Sequence, residues 1–412
     1  MSIFIDSSTI VNESEGEQLQ NTTTDRMRVS NIVTQFDAQF RYNKQDLLWG
    51  ESGNNGGGTS IHLPNESSVQ MSTGDGNDGS HARRRTNIWF RYQLGIINVI
   101  EQAFVFAAGK ENLKQQVGIY DDDNGILLQL DNTIAKLILK SSTIGNITIE
   151  QQNWNGDKLN GTGESGISID WTKAQLMRIE LQWRGVGAIK IYFQIEDRYI
   201  LAHTIHNVNM RDSVYMTTAN LPLTYEIFND GAVAGASSMK QLSSTIYSEG
   251  GTDANNLKGD LRAGDSGDDF IPTTNTEKAI LAIRPKLTFN GITNRGQIWP
   301  YDIKFHVADN EECRFIIYIG AQVPDGDWNS VGDDSIAEFN NNMTSFTPGL
   351  PLVQEFVLEN RSEFSQIAEE FLRSPLVLNE DGTTQTILLI TSKNLTGGTA
   401  SSRCSIKWKE QK

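Results

Sequence analysis

The sequence predicts an all-β protein: antiparallel sandwiches, an extended N-terminal arm, and a second, smaller β-rich domain carrying one helix. Three observations lead there. Apolar and polar residues alternate strictly over many short runs, the period of a strand with one face buried. Asn-Gly and Asp-Gly pairs recur between the runs, at Asn124–Gly125, Asn155–Gly156, Asn160–Gly161, Asp230–Gly231, Asn290–Gly291, Asp325–Gly326 and Asp381–Gly382. They supply the positive φ that tight hairpins need. Apolar spacing of helical period is confined to one stretch near the C-terminus.

Residues 1–35 are polar and rich in Thr, Asn, Glu and Gln, with too little apolar surface to fold alone, so they read as an arm that needs a host surface. Residues 36–235 read as the main sandwich. Its β-branched and aromatic runs lie at Asn87–Gln93, Ile96–Phe106, Gln115–Tyr120, Gly125–Leu130, Ala135–Lys140, Asn146–Gln151, Tyr199–His206 and Leu223–Phe228. The clearest alternation is Met177, Ile179, Leu181 and Trp183 against Arg178, Glu180, Gln182 and Arg184, repeated by Ile189, Ile191, Phe193 and Ile195 after a short Gly185–Gly187 link, which makes a hairpin. Residues 236–276, rich in Gly, Ser and Asp, read as a polar linker or long loop. Residues 277–412 form the second domain, with alternation at Ala279–Leu287, Tyr301–Val307, Arg314–Ile319, Leu352–Leu358, Thr386–Ser392 and Ser401–Lys409. Its helix is expected at Asn360–Ser374, where Phe364, Ile367, Ala368, Phe371 and Leu372 form a stripe, Asn360 and Glu363 can make a capping box, and Pro375 stops the run.

Composition narrows the function. The chain has 412 residues, above the ~100–200 expected of one domain. Thirty-five basic against 51 acidic residues leave a net charge of −16, which argues against nucleic acid or an anionic membrane as partner. No apolar run approaches the ~18 residues of a membrane span, and no secretory signal is expected. Cys313 and Cys404 lack the spacing of a zinc module or a disulfide scaffold and read as two buried thiols.

Each chemical motif has a plainer explanation. His203 and His206 would point to opposite faces of a strand and could not share an ion. Asp121–Gly125 resembles the start of a calcium loop, but its glycine comes early and position 132 is Asn132, so an acidic hairpin turn accounts for it. Gly264–Gly267 matches the local string around a serine nucleophile but lies in the polar stretch, with no His in a rigid segment beside it. Walker, dinucleotide-binding, zincin and nucleophile-elbow motifs are missing, so neither a catalytic residue, a metal nor a cofactor is assigned. Two features stand out. Arg83, Arg84 and Arg85 form the one concentrated basic patch and are candidates for docking an acidic partner. Trp154, Trp171 and Trp328 sit beside turn residues, where an indole face could stack on a sugar.

A resemblance adds to this reading. The ordered strings Arg28–Asn31, Phe36–Asp37, Leu48–Trp49, His62–Glu66, Arg83–Arg85, Phe90–Tyr92, Gly118–Gly125, Gln182–Gly187, His203–Asn207, Val214–Pro222, Tyr225–Glu226, Ile387–Leu395 and Ser405–Glu410 resemble a family of structural proteins of tailed-bacteriophage virions. The resemblance implies a lectin-like or jelly-roll sandwich and a non-enzymatic virion protein made in the bacterial cytoplasm. Such a protein would be a tail, neck-fibre or baseplate component that joins other virion proteins and copies of itself, a trimer first, through its arm and β-surfaces. The alternatives are a capsid-decorating protein and a glycan-binding module that recognises host surface sugars. A polysaccharide depolymerase has no support in the sequence.

Overall fold

The computed structural model describes residues 32–53, 55–92, 96–218, 220–233, 235–249, 259–267, 271–308, 310–358, 362–366 and 375–412. The N-terminal part contains β1 (Ile32–Gln39), β2 (Trp49–Ser52), β3 (Thr59–Leu63), β4 (Ser68–Ser72), β5 (His81–Thr86), β6 (Ile97–Val105), β7 (Leu113–Tyr120) and β8 (Gly125–Asp131). It continues with β9 (Ile134–Lys140), β10 (Ile147–Glu150), β11 (Gln175–Leu181), β12 (Ile189–Ile195), β13 (Arg198–Ile205), β14 (Leu223–Asn229) and β15 (Ser238–Glu249). One sheet runs β13-β12-β11-β6-β15-β4-β3, with β1 also on β15; the other runs β10-β9-β8-β7-β14-β5-β2. The chain changes sheet between β1 and β2, β2 and β3, β4 and β5, β5 and β6, β6 and β7, β10 and β11, β13 and β14, and β14 and β15. Strands adjacent in sequence therefore face each other across the core, as in the expected jelly-roll sandwich.

Alternation builds this core. Val117, Leu128, Leu137 and Tyr225 from one sheet meet Ile100, Phe104, Ile179, Ile191 and Ile246 from the other, all buried. Each such side chain contributes roughly 1.5–3 kcal/mol.

The second part contains β16 (Asp260–Asp265), β17 (Ile271–Thr273), β18 (Lys278–Pro285), β19 (Thr288–Phe289), β20 (Ile292–Thr293), β21 (Gln297–Val307) and β22 (Cys313–Ile319). It ends with β23 (Asn329–Ser330), β24 (Ala337–Asn340), β25 (Leu350–Val357), β26 (Ser362–Gln366), β27 (Leu388–Asn394) and β28 (Ala400–Gln411). Its sheets are β16-β28-β21-β26, with β17 on β28, and β23-β24-β18-β27-β22-β25. Phe305 of one sheet stacks on Phe315 of the other at 4.5 Å. Asn290 and Gly291, at φ 50° and 80°, make the two-residue turn between β19 and β20. Cys313 and Cys404 are buried and not disulfide-bonded.

Several expectations need correction. Residues 32–35 of the expected arm belong to β1, which pairs with β15; residues 1–31 lie outside the described residues. The strand expected at Asn87–Gln93 lies earlier, as β5, which stops at Thr86; among the described residues 87–92 only Phe90 makes a bridge, to Leu221. The expected linker holds β15 in the middle of a sheet, along with β16 and β17. The expected helix begins as β26, which pairs with β21 from Ser362↔His306 to Gln366↔Asp302 and so satisfies a backbone edge that a helix would leave open. Residues 359–361 and 367–374 lie outside the described residues. Among the described residues no helix is long and apolar enough to cross a membrane.

The two sandwiches meet at one joint. Arg295 lies over the Trp89 ring at 4.1 Å and donates to the carbonyls of Asn379 (2.8 Å) and Glu380 (3.0 Å). Gln297 donates to the Trp89 carbonyl at 2.8 Å. Gly50 lies so close beneath Glu380 that a Cβ there would sit 2.0 Å from Oε2.

Candidate functional site

The arginine triplet falls on β5, and the two-residue period of a strand divides it. Arg84 points into the sandwich and is fully buried. It pairs with Glu51 at 3.1 Å, donates to Gln241 (2.6 Å) and the Lys44 carbonyl (2.5 Å), and lies over the rings of Phe40 and Trp49. Burial draws its guanidinium down to about 10, against the opposing pull of Glu51 and Asp46. Arg83 and Arg85 point outward but are spent on Asp122, at 3.3 and 3.0 Å. The triplet is therefore not a free docking patch, since one member is core and the other two share the Asp122 carboxylate.

The tryptophans do not converge either. Trp154 is 2% exposed and stacks on Phe193, with ring centroids 5.8 Å apart and planes 9° apart. Trp171 is half-buried edge-on to the same Phe193 at 5.6 Å. Trp328 belongs to the second sandwich, where the Arg284 guanidinium covers its face at 3.7 Å and is itself held by Glu338. Protein groups thus lie on a ring face of Trp154 and of Trp328, while Trp171 packs against Phe193 and Phe106. His203 is buried, and its Nδ1 accepts the Asn155 backbone N–H at 3.0 Å, while His206 is exposed.

A different cluster forms on the outer face of the seven-stranded sheet. The core-facing residues of β14 are Leu223, Tyr225 and Ile227, which leaves Thr224, Glu226 and Phe228 on the other side. Register sets Glu226 opposite Arg83 and Gln116, and Phe228 opposite His81 and Lys114. His81 Nε2 lies 2.6 Å from Glu226 Oε1, the Tyr120 hydroxyl donates to Glu226 Oε2 at 3.0 Å, and Tyr120 also reaches Gln116 at 3.1 Å. The half-buried Phe228 ring lies edge-on to His81 at 5.8 Å. These groups, with Asp122 and Lys140, line a cleft of about 390 Å³.

The electrostatics bear on what the cleft can do. Burial works against the charge of Glu226, yet the bond from His81 and the charges of His81 and Arg83 outweigh it and hold the carboxyl low. Burial likewise opposes ionisation of Asp122, and Arg85 and Arg83 override it. Burial and the Glu226 charge push the Tyr120 phenol well up. Both carboxylates lining the cleft are thus ionised and hydrogen-bonded. Hydrolysis of a glycosidic bond by paired carboxyls asks instead for one acid of raised pKa beside an ionised partner. Among the described residues no group of three His, Cys, Asp or Glu side chains is placed to hold a metal ion.

Sequence reasoning missed this cluster because its partners are far apart in the chain: His81 and Glu226 are separated by 145 residues. One signal was available, the alternation through Leu223–Phe228 that puts Glu226 and Phe228 on one face.

No family model matches the chain, and no curated protein matches it. Solved structures do resemble part of it. An endo-β-1,4-glucuronan lyase from Trichoderma reesei is 15% identical over 54% of this chain and 97% of its own, with a TM-score of 0.33. A β-glucanase of Bacillus licheniformis is 9% identical over 55% and 100%, at 0.34. A pseudo β-1,3-glucanase of Mycobacterium tuberculosis is 10% identical over 53% and 99%, at 0.37. At these scores the likeness assigns neither an activity nor a site. The named neighbours are glucanases and a lyase rather than tail, neck-fibre or baseplate proteins, so that main reading is corrected in favour of its glycan-binding alternative.

Proposed function

We propose that the N-terminal sandwich is a non-catalytic carbohydrate-binding module whose site is the cleft over β5, β14 and β7. One observation carries the proposal: a partly exposed aromatic ring, Phe228, with the Lys114 ammonium 6.0 Å from its centroid, lies beside a fixed array of planar polar groups, Glu226, His81 and Gln116, on a rigid sheet. A sugar ring has apolar C–H faces and an equatorial belt of hydroxyls. It is met by an aromatic surface below and by acceptors and donors at its edge. The ionised, fully engaged carboxylates suit acceptance of hydroxyl protons better than proton transfer to a leaving group.

The test is a glycan array probed with the wild-type protein, Phe228→Ala and Glu226→Gln, alongside an assay for released reducing ends. The expected outcome is binding by the wild type, loss of about tenfold or more in each variant, and no sugar released. Absence of binding, or binding that both variants retain, contradicts the reading.

A further inference from the structure

We propose that the cleft is blind at one end and takes the terminal sugars of a glycan chain, not a stretch within it. The inference rests on the carbohydrate-binding reading above and specifies what that site accepts.

The wall is the turn between β7 and β8. Its side chains are bonded to β5 and its backbone to β9. The Asp122 carboxylate pairs with both outward arginines of β5, at 3.3 and 3.0 Å, so that ion pairs link the turn to β5 across the intervening β14. Beneath it Thr224, an outward-facing residue, is fully buried, donating its hydroxyl to the Tyr120 carbonyl (2.9 Å) and accepting from Arg85 Nε (3.2 Å). From the other side Lys140 of β9 donates to the Asp121 carbonyl at 2.9 Å, so the turn is tied to strands on both flanks. Inside the turn Asp121 Oδ1 accepts the backbone N–H groups of Asp123 and Asn124, at 2.8 and 2.6 Å, which stiffens it.

The opposite end of the cleft is open. A Cβ built on Gly79, which lines that end, would meet nothing within 4 Å. Asn229, also lining it, donates through Nδ2 to the Asn77 carbonyl, while its Oδ1 is buried without a partner. A chain could enter past Gly79, lie on Phe228 and reach the Glu226 array, but it would stop at Asp122. A polymer running through would have to displace two ion pairs and the turn.

The test presents linear α-1,4, β-1,3 and β-1,4 glucan oligosaccharides, and any other hit from the array, in two couplings: attached through the reducing end and attached through the non-reducing end. The wild type should bind a given sugar at least about tenfold better in one coupling, because only one free end can enter. In Asp122→Ala, whose side chain is largely exposed in the wild type, the disfavoured coupling should recover to within about threefold of the other. Equal binding in both couplings by the wild type overturns the blind cleft while leaving carbohydrate binding intact. No binding in either coupling to any sugar overturns both.

Discussion

Arg83 and Arg84 are adjacent, carry the same charge and should respond very differently to substitution. Arg84 sits in the core on Glu51, Gln241 and two aromatic rings, so Arg84→Ala leaves a cavity and strips Glu51 of its buried partner. A loss on the order of 3 kcal/mol is expected in denaturant unfolding. Arg83→Ala removes a contact to an Asp122 carboxylate that is mostly in water and should cost less than about 1 kcal/mol. Similar losses in the two variants would contradict the division of the triplet. That division was legible in principle, since a strand period applied to His81–Thr86 puts Arg84 opposite its neighbours. What the sequence hid was that the run is a strand at all, because three consecutive arginines mimic a solvated patch. Trp154 misled for a related reason: it precedes the Asn155–Gly156 turn, yet its ring turns inward onto Phe193, a contact across 39 positions of sequence.

Strands whose inward face is apolar, such as β11, β12, β7 and β8, declare themselves by alternation. β15 does not. Its inward positions include Gln241 and Ser244, which serve Arg84 and the Tyr225 hydroxyl rather than a greasy interior, so composition alone reads it as linker. Its hydrogen bonds are nonetheless central, for Thr245 pairs with Glu101 of β6 on one side and Asp37 of β1 on the other. Thr245→Pro should therefore cost about 3 kcal/mol or more and lower the melting temperature sharply. A variant that melts like the wild type would show that residues 238–249 are the loop their composition suggests. β26 gives the converse lesson. A capping box and an apolar stripe favour a helix at 360–374, but the open edge of β21 recruits Ser362–Gln366 as a strand, and tertiary pairing overrides local propensity.

On the scale of the whole molecule, the all-β class and the succession of two β-units follow from the sequence, because turn chemistry and period are local. The strands of the first pair of sheets end with β15 at Glu249, and those of the second begin with β16 at Asp260. The joint at Arg295 and Trp89 and the cleft on the seven-stranded sheet join residues from distant parts of the chain and leave no local trace. The most direct test of the account is a crystal structure of the protein with the tightest-binding linear oligosaccharide from the array. Sugar lying on Phe228, with hydroxyls at Glu226 and Gln116 and its end against Asp122, is the predicted result. Sugar seated at Trp171 or Trp328 with the cleft empty would contradict it.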